Sequence, residues 1–116
     1  MASSDPRPTA VIKDKALLKS LHLRWRECAI CGEVEPLSLH HIHKHPRDDV
    51  EGNLVMVCGS GTTGCHGRIE SRDPVVLRLL FEHIVGERPD VVAYLRKKLG
   101  RQWADAWLGN LAGSTI

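Results

Sequence analysis

The sequence predicts a small α+β fold in which two short strands and a helix form the centre and further helices flank it on both sides. Three observations carry that expectation. Four cysteines fall as two pairs, Cys28-x2-Cys31 and Cys58-x6-Cys65, around a polar loop. Two β-prone stretches, 37–42 and 54–57, lie between those pairs. Beyond residue 72 the chain is patterned in helical periods, with cap and breaker residues at its joints.

Residues 1–9 are rich in Ser, Pro and Asp and read as a disordered tail. The remaining 10–116 read as one domain, with a core over 28–71 and a helical extension over 73–112. In 10–23, Val11, Ile12, Leu17, Leu18 and Leu21 fit a short amphipathic helix that covers the core. The loop between the strands carries Pro46, Arg47, Asp48, Asp49 and Gly52. A helix starting near Gly64 or Cys65 and running to Ser71 puts His66 in its first turn and Glu70 one turn on, along the same face. Asp73 is a good N-cap and Pro74 a good first residue for a helix over 74–85, ended by Gly86. A second helix spans 90–99. After Gly100 a third places Trp103, Ala106, Trp107 and Leu111 on one stripe, which reads as core in preference to a base-stacking platform.

At 116 residues one compact domain is expected, and a chain this short gains from a structural metal. No apolar leader or membrane span is visible, so the sequence predicts a soluble intracellular protein without membrane association. In a reducing cytosol the four cysteines are better read as ligands of one tetrahedral zinc ion than as disulfides. The alternative is four buried free thiols. Net charge is only +2, from 16 Lys and Arg against 14 Asp and Glu, so bulk charge does not announce nucleic-acid binding. Local basic clusters do more. Lys44, Arg47, Arg68 and Arg72 fall near the histidines and are candidate DNA-phosphate contacts, the plainer reading being solvated surface charge.

Within 28–70 the run Leu39-His40-His41-Ile42, the Asn53-Leu54 pair and the Cys65-His66 dipeptide occur in order inside the cysteine frame. This stretch resembles the HNH endonuclease family, whose motif runs His-His, then Asn, then His, often between two cysteine pairs. The resemblance implies a ββα-metal core and hydrolysis of DNA phosphodiester bonds, as nicks or double-strand breaks, leaving 5′-phosphate and 3′-hydroxyl ends. It implies that His40 and His66 hold a catalytic divalent cation, whether Mg2+, Mn2+, Ni2+ or Zn2+, beside the structural Zn2+. It places His41 as the general base and Asn53 as the residue that fixes the inter-strand loop. Glu70 is open between a third ligand, a water-mediated neighbour of the cation and a surface carboxylate. Adjacent strand residues project to opposite sides, which agrees with dividing the roles of His40 and His41.

One departure stands out. Many family members have two residues between the second pair of cysteines, whereas here Gly59-Ser60-Gly61-Thr62-Thr63-Gly64 makes the gap six. Glycines allow such a loop to double back. Small stand-alone members of this kind look like phage or prophage nucleases, which would place the chain in the cytoplasm of a bacterial host. DNA is then the expected partner, a phage packaging or processing protein is a further one, and the chain acts as a monomer or homodimer. The rival reading is a non-catalytic zinc module that binds nucleic acid or protein. Its histidines would serve packing, with no need for a base beside a ligand pair.

Overall fold

The computed structural model describes residues 11–113, an α+β arrangement of a two-stranded sheet and five helices. The tail expected over 1–9 lies outside the described residues. Helix α1 is Lys15–Arg24, strands β1 and β2 are Leu37–His41 and Leu54–Cys58, and helix α2 is Gly64–Glu70. Helices α3 (Pro74–Glu87), α4 (Pro89–Leu99) and α5 (Arg101–Leu111) complete the chain. Among the described residues no helix is long and apolar enough to cross a membrane.

The start of α1 corrects the sequence reading. The helix begins after Asp14, whose side chain accepts from Leu17 N at 3.0 Å and so caps it. Ile12 cannot join the helix because its backbone is committed elsewhere: its N–H donates to Asp48 Oδ1 at 3.0 Å and its carbonyl accepts from Asp49 N at 2.8 Å. Val11 and Ile12 are exposed.

The strands pair antiparallel, from Leu37 opposite Cys58 to His41 opposite Leu54. Ile42 N–H extends the ladder to Asn53 O. Every residue of β2 is buried, as its unbroken apolar run requires. Val55 and Val57 join the main core with Ile69 of α2 and Val76, Leu80 and Ile84 of α3.

Helix α3 begins at Pro74 behind the Asp73 cap, as the sequence predicts, but runs through Gly86 to Glu87. The chain breaks instead at Arg88, before Pro89, which cannot supply the N–H to continue a helix. Helix α4 lies against the turn at residues 51–53. A Cβ on Gly52 would meet Asp90 O and Tyr94 Cβ at 2.9 Å, so this approach needs a glycine.

Helix α5 supplies a second correction. Its buried face is Ala104, Leu108 and Leu111, at helical spacing. Of the stripe expected to be core, Leu111 is buried and Trp107 half-buried, whereas Ala106 is exposed and Trp103 is 72% exposed. The helix is rotated so that small Ala104, and not the indole of Trp103, faces the core.

Candidate metal centres and their surroundings

The four cysteines converge from three places in the chain. Cys28 and Cys31 lie on the turn before β1, Cys58 ends β2 and Cys65 lies in the first turn of α2. All four sulfurs lie within 4.8 Å of one another, with Cys31 Sγ 3.5 Å from Cys58 Sγ. Tetrahedral zinc with bonds of about 2.3 Å spaces its sulfurs about 3.8 Å apart, so the cluster could hold a metal ion such as zinc. None of the four is in a disulfide.

Backbone donors prepare the sulfurs for negative charge. Ile30 and Cys31 N–H groups point at Cys28 Sγ, and Cys65 N–H at Cys58 Sγ, each at 3.4 Å. Burial opposes ionisation of Cys28, yet these backbone donors win and hold its thiol down to about 7. Burial pushes the Cys65 thiol up, and its neighbouring sulfurs add to that.

The six-residue gap between Cys58 and Cys65 closes by doubling back. Ser60 and Thr63 pair through both backbone hydrogen bonds, at 3.1 and 3.2 Å. Gly59 adopts φ +87°, and a Cβ there would lie 2.1 Å from Thr63 O. Only glycine fits that turn, and it returns the chain so that Cys65 faces Cys58.

A second cluster lies where β1 meets α2. His40, buried on β1, turns its Nδ1 to 3.2 Å from Glu70 Oε2, and His66 Nε2 lies 3.5 Å from the same oxygen. These three donors lie within 4.8 Å of one another. A cation with bonds of about 2.1 Å spaces neighbouring donors about 3.0 to 3.4 Å apart; the His40–Glu70 spacing falls in that range and the His66–Glu70 spacing lies just beyond it. The fit has a further sign: His40 Nδ1 is buried without a hydrogen-bond partner, because the Glu70 oxygen is near but misaligned. Such an orphaned nitrogen is costly unless something accepts its lone pair.

The electrostatics suit the same role. Burial pushes the His40 imidazole down to about 4; Glu70 opposes this, while His66 and Lys44 reinforce it. Burial likewise lowers His66 against the pull of Glu70. Burial would raise Glu70, but the Lys44 ammonium, 2.5 Å from Oε1, holds it below the ordinary carboxylate range. At neutral pH the cluster therefore offers two neutral imidazoles and one carboxylate, a donor set that suits borderline and hard divalent cations.

Ser38 fixes one of these donors. It lies two residues before His40 on β1, so both side chains share a face of the strand. Its hydroxyl is 2.6 Å from His66 Nδ1 and donates to Gly59 O at 2.7 Å. With its hydrogen committed to the carbonyl, the hydroxyl oxygen accepts from His66 Nδ1–H. The Nε2 lone pair is then free to face the cluster.

His41 stands outside the cluster, on the opposite side of β1 from His40. Its Nε2 is 2.8 Å from Asp49 Oδ1, and Asp49 Oδ2 accepts from Asp14 N at 2.9 Å. Burial raises the Asp49 carboxyl, but these two bonds hold it below the ordinary range. An ionised Asp49 favours the tautomer with hydrogen on Nε2, which leaves Nδ1 of His41 as a proton acceptor.

Asn53 is fully buried and ties the loop between the strands. Its Oδ1 accepts from His43 N at 2.8 Å, and its Nδ2 donates to His43 O at 2.9 Å and Asp48 O at 3.0 Å. Asp48, also fully buried, accepts from Ile12 N, Tyr94 Oη and Lys98 Nζ. The loop bearing Asp49 is thereby held from both ends.

Of the basic residues singled out in the sequence, Lys44 pairs with Glu70 and, with Arg72, lines a hollow next to the histidine cluster. Arg68 is exposed on the outer side of α2 beside the Gly-Thr loop, and Arg47 is exposed on the inter-strand loop. Asp49 and Ser38 were missed. Ser38 had a legible signal in its two-residue offset from His40, whereas nothing in the spacing separates Asp49 from its polar neighbours. Comparison of the chain with protein-family models, with characterised proteins and with solved structures returns no match.

Proposed function

We propose that the chain is a metal-dependent endonuclease of the HNH type that hydrolyses DNA phosphodiester bonds, with its cysteine cluster holding a structural zinc ion. The observation that carries this reading is a two-histidine, one-carboxylate cluster whose strand also carries a histidine with Nε2 2.8 Å from a buried aspartate. A packing role for these histidines would leave no reason for His40 Nδ1 to be buried unpartnered beside two other donors.

His40 and His66 would hold the divalent cation, and Glu70 would complete the set. When bound, the cation supplies polarisation of the scissile phosphate and stabilisation of the leaving oxygen. His41 Nδ1 accepts a proton from water as the water oxygen bonds to phosphorus. Asp49 stabilises the imidazolium that forms. The phosphorus–O3′ bond breaks, and the departing oxygen takes a proton from solvent. Lys44 holds Glu70 ionised, and Asn53 keeps the loop that carries Asp49 in register with β1.

The test is incubation of supercoiled plasmid with wild type and His41→Ala in magnesium, manganese, nickel or chelator. Metal-dependent nicking or linearisation by wild type, lost in His41→Ala, supports the reading. A folded, zinc-loaded protein that cuts nothing in any of these metals favours the non-catalytic zinc module.

A further inference from the structure

The hollow beside the histidine cluster has a volume of about 300 Å³, and an aliphatic floor that includes Leu77 and Leu80 underlies its charged and aromatic walls. His40 and Glu70 of the cluster line it together with the cationic Lys44 and Arg72, while His43 and Trp107 are aromatic. His43 and Trp107 also line a second hollow, which they share with Trp103 and Asn110 of α5. The surface is therefore continuous from the candidate cation ligands to Trp103.

Two features of this surface are unexplained by the fold. Trp103 is 72% exposed, although burying Ala104, Leu108 and Leu111 already satisfies α5. His43 meets Trp107 edge-on with ring centroids 6.0 Å apart, and its Nδ1 is buried without a hydrogen-bond partner. Trp103 and Trp107 are one helical turn apart on one side of α5, so their rings form a ledge. Among the described residues lining the two hollows, Glu70 is the single carboxylate, and Lys44 pairs with it.

We propose that Trp103 and Trp107, with His43, form a stacking platform for unpaired bases of a DNA single strand that runs out from the histidine cluster. This rests on the nuclease reading above and narrows its substrate to DNA with a single-stranded stretch beside the cleaved bond. Aromatic ledges bind bases through their faces, which a duplex hides and a single strand presents. A duplex groove or backbone would be met by rows of Lys and Arg, whereas these hollows carry two cations beside two indoles, three imidazoles and aliphatic side chains. Arg72 suits the phosphates of the strand, and the one carboxylate lining the two hollows, Glu70, is already paired with Lys44.

The test measures binding, not cutting. A fluorescein-labelled oligonucleotide of about 12 nucleotides, within the usual site size of such platforms, is titrated with zinc-loaded protein without added magnesium or manganese. The same sequence as a blunt duplex is the comparison. Single-stranded DNA should bind more tightly than duplex. Trp103→Ala should weaken single-strand binding about 5- to 150-fold and leave duplex binding unchanged, and Trp103→Phe should restore most of the loss. Because Trp103 is exposed, its removal leaves the melting temperature near that of wild type, which distinguishes lost stacking from lost fold.

Equal single-strand affinity for wild type and Trp103→Ala would overturn the proposal. So would a Trp103→Ala protein whose only change is a smaller particle in sedimentation, since the ledge would then be a self-association surface. A wild type that cuts plasmid with no single-strand preference overturns the platform and leaves the nuclease. Trp103-dependent single-strand binding with no cutting in any metal leaves the platform and removes the nuclease.

Discussion

The cysteine cluster and the histidine cluster both draw on residues of the β-hairpin and α2, yet they are built to opposite ends. Around the cysteines the protein turns inward: backbone N–H groups aim at Cys28 and Cys58, and four soft donors surround one point. Around the histidines it stops at three donors, and His40 and Glu70 also line an open hollow. Zinc sites that hold a fold are closed by four protein ligands, whereas sites that do chemistry keep a position for water or substrate. On the proposed reading, one hairpin and one short helix thus carry a centre for stability beside a centre for reactivity.

That contrast should break first at the cysteines. Cys28→Ser removes one of the four sulfurs of the proposed zinc site, and because metal binding is coupled to folding its cost should approach the whole stability of such a domain, about 5–15 kcal/mol. A cooperative melt of the variant at wild-type temperature, with zinc still bound, would contradict it. At the second centre the effect should fall on rate and not on fold. His41→Ala is expected to lose about 10²- to 10⁴-fold in plasmid cleavage, with an unchanged urea midpoint.

Asp48 bears on both outcomes because it is buried and anchors the loop that carries Asp49. Burial opposes its ionisation, yet the bonds from Ile12 N, Lys98 and Tyr94 hold its carboxyl below the ordinary range. Its folded value thus lies below the unfolded value of about 3.9, so its stabilisation is complete above about pH 4 and is lost as pH falls through the folded value. Asp48→Ala leaves Lys98 and Tyr94 without their partner and should cost about 2–5 kcal/mol at pH 7. Its urea stability should also depend less on pH below about 4 than that of wild type. Equal slopes for the two proteins would show that this carboxylate does not govern acid unfolding.

Much of this layout is legible in the residues themselves. The cysteine pairs, the apolar run of β2, and the Asp73-Pro74 and Gly100 punctuation mark local features, and each element appears within a few residues of its expected place. What escaped depends on contacts between distant parts of the chain. The start of α1 is set by Asp48 and Asp49, 35 or so positions away, which capture the backbone of Ile12 and Asp14. The facing of α5 is set by α3 and α4, and helical periodicity alone does not say which of two apolar stripes will be buried. Asp49 lies in a loop with several polar residues, where only the fold selects the one that meets His41.

A smaller effect sharpens the contrast further. Ser38→Ala removes the acceptor that orients His66 but no ligand, and such supporting bonds are worth about 10- to 100-fold in metal affinity or activity. Its cation affinity should fall in that range by calorimetry, with zinc content and melting temperature unchanged. A fall in zinc content instead would mean that the two centres are not independent.

The most direct test of two centres with separate duties is a graded chelator titration in which bound zinc, circular dichroism and plasmid cleavage are followed in one sample. Cleavage should disappear first, while one zinc per chain and the folded spectrum persist, and added magnesium or manganese should restore cutting. Simultaneous loss of zinc, fold and cleavage, or cleavage that survives until the fold is lost, would contradict it.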